Sequence, residues 1–211
     1  MKKMKANQIK GLYAITPDEL DIDKLLNNVR SALKGGASVL QYRNKAVSKQ
    51  VAFEQASLLL DLCHEYGTPF IINDDVELAL KLDADGVHLG SSDGSLRDAR
   101  KKLGDGKIIG ASCYNKVEIA QFAQQNGVDY IAFGACFLSG TKPHAPKADL
   151  TLFTKAKATI HLPTVAIGGI TYENASSVIA AGADSIAVIG ALWNSDDIEQ
   201  TAQQFTQLFN Q

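Results

Sequence analysis

One unit recurs along this chain: a helix-forming stretch, a turn of small residues, and a short apolar run that stops at a glycine or a polar residue. It is visible at Gly35-Gly-Ala-Ser-Val-Leu-Gln41, Asp83-Ala-Asp-Gly-Val-His-Leu-Gly90, Asn126-Gly-Val-Asp-Tyr-Ile-Ala-Phe-Gly134 and Ala181-Gly-Ala-Asp-Ser-Ile-Ala-Val-Ile-Gly190. Glycine closes a helix because it accepts left-handed dihedrals. Apolar runs with little alternation are what a parallel sheet covered by helices requires. Eight strands are predicted, at about residues 11–16, 37–44, 69–73, 86–90, 108–113, 130–135, 164–169 and 185–190. Helical periodicity fills the gaps, with Ala175, Val178, Ile179 and Gly182 on one face and Ile198, Ala202, Phe205 and Phe209 on another. Eight such units favour closure over an open sheet. The expectation is an α/β chain folded as a single-domain (β/α)8 TIM barrel over residues 11–211, with residues 1–10 as a lead-in.

A chain of 211 residues is short for this architecture, so its loops must be compact. The 21 basic and 23 acidic residues nearly balance, and no basic run carries interleaved aromatics. A nucleic-acid partner is therefore not expected. No apolar run reaches the ~20 residues of a membrane span, and the lysine-rich start lacks the apolar core of a secretory signal. A cytoplasmic protein without a membrane partner is expected, and a homo-oligomer is compatible with everything in the sequence. Cys63, Cys113 and Cys136 are widely spaced and odd in number, which predicts buried thiols rather than a disulfide framework or zinc site.

The strand ends carry the chemistry. Thr164-Val-Ala-Ile-Gly-Gly169 and Ser185-Ile-Ala-Val-Ile-Gly190 place bare backbone N–H groups after the last two strands, where such barrels bind phosphate. Side chains alternate along a strand, so Gln41, Arg43 and Lys45 share one face and Leu40 and Tyr42 the other. An amide and two cations converging there suit a diphosphate. Asp74 follows the third strand and Asp93 the fourth. Two carboxylates on adjacent loops can hold Mg2+, or Asp74, Asp75 and Asp93 can cap the helices that follow. Ser112 ends the fifth strand. The long loop through Ser139, Thr141 and Lys142 carries hydroxyls and an ammonium suited to phosphate oxygens, and residues 137–148 read as a lid. His64, His88, His144 and His161 have no metal-ligand spacing, and His88, inside a strand, reads as a satisfied layer residue.

Taken in order, Leu12-Tyr-Ala-Ile-Thr16, Gln41-Tyr-Arg-Asn-Lys45, Ile72-Asn-Asp74, Gly86-Val-His-Leu-Gly90 through Asp93, Ile109-Gly-Ala-Ser112, Thr141-Lys142 and Ala166-Ile-Gly-Gly-Ile170 resemble the thiamine-phosphate synthase family over almost the whole chain. The resemblance implies a transferase that joins hydroxymethylpyrimidine diphosphate to thiazole phosphate, releasing pyrophosphate and thiamine monophosphate. It implies that Gln41, Arg43, Lys45, Asn73 and Lys142 meet the diphosphate, and that Asp74 and Asp93 hold Mg2+. It places Ser112 near the pyrimidine or the diphosphate. Ser139, Thr141, Gly169, Ile189 and Gly190 would hold the thiazole phosphate. Arg43, Lys45, Ser112 and Lys142 carry the catalytic expectation. The chain departs from the family pattern at Asn44, at Leu138-Ser139, at Ser91-Ser92 and at Gly190, where the family usually has serine. The alternatives are a thiazole tautomerase of the same fold, which needs no pyrophosphate site, and a non-catalytic thiamine-phosphate-binding protein.

Overall fold

A computed structural model describes residues 9–138 and 148–210. Strands β1 (Gly11–Ile15), β2 (Val39–Tyr42), β3 (Phe70–Asn73), β4 (Gly86–Leu89), β5 (Ile108–Tyr114), β6 (Tyr130–Phe133), β7 (Thr164–Ile167) and β8 (Ser185–Val188) pair in sequence order into a closed parallel barrel. Closure is made by β8 against β1, with Gly11 opposite Ser185 and Tyr13 opposite Ala187. The helices between them are α1 (Ile22–Lys34), α2 (Lys49–Glu65), α3 (Val76–Leu82), α4 (Leu96–Leu103), α5 (Val117–Gln125), α6 (Thr151–Ala156) and α7 (Tyr172–Ala180). The short α8 (Gly190–Trp193) and then α9 (Ile198–Gln207) complete the ring. The (β/α)8 expectation holds.

Strand alternation sorts the core into two shells. Leu12, Ala14, Leu40 and Tyr42 face outward into the layer shared with the helices. Tyr13, Ile15, Val39, Ile71, Tyr130 and Val165 face inward, and Ile9 packs with them. Gly110 in β5 exists for one inward neighbour, since a Cβ there would lie 2.0 Å from Cζ of Tyr130. The three cysteines are free and buried.

Most strands end earlier than their apolar runs suggest, for identifiable reasons. β2 stops at Tyr42 because the Thr16 hydroxyl takes over the next backbone groups. It accepts from Arg43 N–H at 2.8 Å and donates to Arg43 C=O at 2.8 Å. β7 stops where Gly168 and Gly169 turn to φ of 101° and 62°, and after β8 the chain enters α8 at Gly190. Among the expected helix faces, Ala175, Val178, Ala202 and Phe205 are buried, whereas Gly182 and Phe209 lie past their helices.

Capping is assigned unambiguously. Asp75 accepts from Leu78 N–H at the start of α3, and Ser95 accepts from Asp98 N–H at the start of α4. Asp74 and Asp93 are therefore not used as caps.

Candidate active site

The carboxyl ends of the strands surround one cavity of about 600 Å3, within the range of small-ligand sites. Gln41, Arg43, Asn73, Ser112, Gly169, Ile189 and Gly190 all line it. The structure thus brings together expectations drawn from five separate strand ends. Ser139, Thr141 and Lys142, with the rest of 139–147, lie outside the described residues. Leu138 lines the cavity where that loop begins.

On one side stands a polar cluster. Arg43 Nη1 meets Asp18 Oδ1 at 3.1 Å, and the same oxygen accepts from Lys45 N–H at 2.7 Å. Asp18 thereby fixes the segment that carries both cations. The sequence reading passed over it, although Thr16-Pro-Asp18 follows the first strand directly and was open to the same strand-end logic. Asn44, one of the departures, is turned away from the cavity. Its amide nitrogen donates to Glu19 C=O at 2.6 Å and to Gln55 Oε1 at 3.0 Å.

Lys45 Nζ reaches Asp74 Oδ2 at 3.2 Å, and Asp74 and Asp93 hydrogen-bond to one another across adjacent loops. Asp74 holds φ at 64°, a left-handed conformation that aspartate tolerates better than most residues. Desolvation raises its pKa first, then the bond to Asp93 and the repulsion from it, against an opposing effect of Lys45. Desolvation also acts to raise the pKa of Asp93, but bonds from Gly90 N–H at 2.7 Å, Asp74 and Ser92 outweigh it, and the net direction is down. A Cβ on Gly90 would stand 2.8 Å from Asp93 Oδ2, so a side chain there would push that carboxylate aside.

Two carboxylates this close repel unless a proton or a cation lies between them. They are hard oxygen donors and they serve no helix; neither they nor Lys45 are among the residues lining the cavity, but Asp74 follows the lining residue Asn73 and pairs with Lys45. That donor set fits Mg2+, which binds through one or two carboxylates and completes its shell with water and phosphate oxygens. Among the described residues no larger cluster of His, Cys, Asp or Glu offers a metal site.

On the other side lies the glycine cradle. A Cβ on Gly168 would stand 2.7 Å from Ala135 Cα, and one on Gly169 would stand 2.3 Å from Leu138 O. The loop after β6 lies directly on these glycines, tied by Cys136 N–H to Ile167 C=O and Phe137 N–H to Gly168 C=O, each at 2.9 Å. The glycines therefore serve loop docking. At Gly190 the nearest atom to a Cβ is Asn194 Nδ2 at 3.5 Å, so a serine side chain would have room there.

The cavity floor is polar. His88 is buried with both ring nitrogens engaged, Nδ1 with Tyr130 Oη at 3.0 Å and Nε2 with Ser112 Oγ at 2.9 Å. The expectation of a satisfied layer histidine holds, and the residue also lines the cavity. Burial pushes its pKa down to about 4, against a smaller opposing effect of Asp93, so the ring is neutral at pH 7.

Comparison with known proteins matches residues 12–192 to the family described as thiamine monophosphate synthase. The thiamine-phosphate synthase of Methylobacillus flagellatus is 60% identical over 202 residues, covering 96% of each chain. That of Thiobacillus denitrificans is 47% identical over 199 residues, covering 94% of each. A solved thiamine phosphate pyrophosphorylase from Pyrococcus furiosus superposes with a TM-score of 0.85 at 33% identity and 97% coverage of both chains.

Proposed function

The chain belongs to the thiamine monophosphate synthase family, and from that premise we propose how the residues around the cavity divide the work. The protein is a thiamine-phosphate synthase: it joins hydroxymethylpyrimidine diphosphate to thiazole phosphate and releases pyrophosphate. The thiazole ring nitrogen attacks the methylene carbon of the pyrimidine. A C–N bond forms, the C–O bond to the diphosphate breaks, and its electron pair leaves with pyrophosphate.

No protein nucleophile or base is needed for that exchange. Arg43 and Lys45, held by Asp18 and Asp74, would exchange those carboxylates for diphosphate oxygens, with Gln41 and Asn73 beside them. Lys142 would join them from the loop. Asp74 and Asp93 would hold Mg2+, which when bound neutralises charge growing on the departing diphosphate. Ser112 would orient the pyrimidine or the diphosphate. The Gly168-Gly169 turn, Ile189 and Gly190 would seat the thiazole phosphate, with Ser139 and Thr141 adding hydroxyls. Holding both substrates in one cavity supplies effective concentration, worth up to ~7–11 kcal/mol when alignment is good.

The single observation that carries this reading is one cavity lined by Arg43, the member of the carboxylate–cation cluster that reaches it, and by the Gly168-Gly169 turn. The test mixes the two substrates with Mg2+ and follows pyrophosphate release in the wild type and in Asp93→Asn. Several kcal/mol of electrostatic stabilisation is at stake, so turnover in the variant should fall at least about a hundredfold. Equal rates would remove Asp93 from the metal role. Absence of pyrophosphate in the wild type would return the tautomerase or the binding protein.

A further inference from the structure

Five polar side chains from five strands form a continuous path through the barrel interior. Gln41 Nε2 donates to Tyr13 Oη at 2.8 Å, and Tyr13 Oη meets Tyr130 Oη at 2.7 Å. Tyr130 Oη meets His88 Nδ1 at 3.0 Å, and His88 Nε2 meets Ser112 Oγ at 2.9 Å. Gln41, Tyr13, Tyr130 and His88 are all buried. Only the two ends, Gln41 and Ser112, have functional assignments in the preceding reading.

Proton counting gives the path a direction. Tyr13 accepts from the Gln41 amide, which also bonds to Tyr130, and has one proton left, whose only protein acceptor among the described residues is Tyr130. Tyr130 then has one proton left, which goes to His88 Nδ1. Nδ1 is thus an acceptor, and the proton of this neutral ring sits on Nε2. Nε2–H donates to Ser112 Oγ, so the Ser112 proton is free to point into the cavity. At the other end, Gln41 Oε1 has no protein partner among the described residues. Because no buried side-chain nitrogen or oxygen among the described residues is left unpaired, that oxygen opens on the cavity. Turning the Gln41 amide over would reverse every link together: Oε1 would take the Tyr13 proton, His88 would carry Nδ1–H, and Ser112 would become an acceptor.

We propose that this path is a one-directional relay that sets Gln41 as an acceptor and Ser112 as a donor toward the ligand, with Tyr13, Tyr130 and His88 as positioning residues. A ligand read by this pair offers a donor such as an exocyclic amine to Gln41. To Ser112 it offers an acceptor such as a ring nitrogen or phosphate oxygen. The identity of that ligand rests on the function proposed above; the polarity of the relay does not. Chains of hydrogen bonds polarise one another, so a cut at one end is felt at the other.

The direct test is the tautomer of His88 in the ligand-free protein, read from its 15N resonances at neutral pH and assigned by comparison with His88→Gln. Nε2 protonated and Nδ1 unprotonated is expected; the opposite tautomer, or an average of the two, would overturn the proposal. This readout needs no substrate, so it fails or succeeds independently of the synthase reaction. The second test is a kinetic cycle with Tyr13→Phe and Ser112→Ala. Tyr13→Phe should cost about tenfold in kcat and move the His88 resonances toward the average. In the Ser112→Ala background the loss should shrink to the part that Gln41 suffers directly through its bond to Tyr13. A full tenfold loss in that background would show that Tyr13 and Ser112 are uncoupled, and the relay would be refuted.

Discussion

Gly67 and Gly169 make a matched pair for separating backbone conformation from crowding. Their φ angles are 66° and 62°, but a Cβ on Gly67 meets nothing within 4 Å. A Cβ on Gly169 meets Leu138 O at 2.3 Å and Phe137 O at 2.8 Å. Alanine at either position takes on a left-handed dihedral, at about 1–2 kcal/mol, and gains back about 0.4–1 kcal/mol from the stiffer unfolded chain. Only Gly169→Ala adds an overlap, and its partners are main-chain oxygens that no rotamer change can move aside. Overpacking of that kind typically costs about 1–3 kcal/mol. Gly169→Ala should therefore lie about 1–3 kcal/mol below Gly67→Ala. Urea unfolding can be followed through Trp193, the one tryptophan in the sequence, whose indole N–H donates to Ile15 C=O at 2.5 Å. With a slope near 2 kcal/mol/M, the two midpoints should differ by about 0.5–1.5 M. Gly169→Ala should also raise KM for the thiazole phosphate, while Gly67→Ala, at the opposite end of the barrel, should not. Equal midpoints would show that the loop after β6 does not press on Gly169, and the account of the cradle would have to be abandoned.

Three further perturbations probe the site. Arg43→Ala removes a charge-assisted contact of about 1.5–3 kcal/mol, so KM for the pyrimidine diphosphate should rise about 10- to 100-fold. The KM for thiazole phosphate should stay within a factor of two, and steady-state kinetics showing equal losses would misplace Arg43. Gly190→Ser introduces a hydroxyl where there is room; the KM for thiazole phosphate should fall or hold, and a large rise would mean that glycine is required there. The His88 pKa, depressed from 6.5 to about 4 by burial, makes the native state bind fewer protons than the unfolded chain in that window. Its contribution to stability is complete above pH 6.5 and is lost as pH falls toward 4, by about 3 kcal/mol in all. His88→Gln should flatten the pH dependence of urea midpoints between 6.5 and 4, and an unchanged slope would contradict the buried neutral ring.

The recurring strand unit was enough to specify an eight-stranded barrel, because apolar periodicity and glycine stops are local signals set by backbone geometry. The same logic located most of the cavity: polar residues at strand ends, Gln41, Arg43, Asn73 and Ser112, could only converge at one mouth once the barrel closed. Metal binding and helix capping were both open for Asp74 and Asp93, since a carboxylate before a helix looks the same in either role. Only the structure shows Asp75 and Ser95 taking the caps. Asp18 escaped notice because its partner Arg43 is far along the chain, and such pairings exist only after β1 and β2 are side by side. The relay from Gln41 to Ser112 was equally invisible. Its members look like ordinary strand residues one at a time, and their hydrogen bonds depend on which inward side chains share a layer. Sequence alone determined the architecture and the chemical character of its rim, through short-range patterning. Tertiary structure decided which polar groups meet, because barrel closure sets the distances between residues remote in sequence.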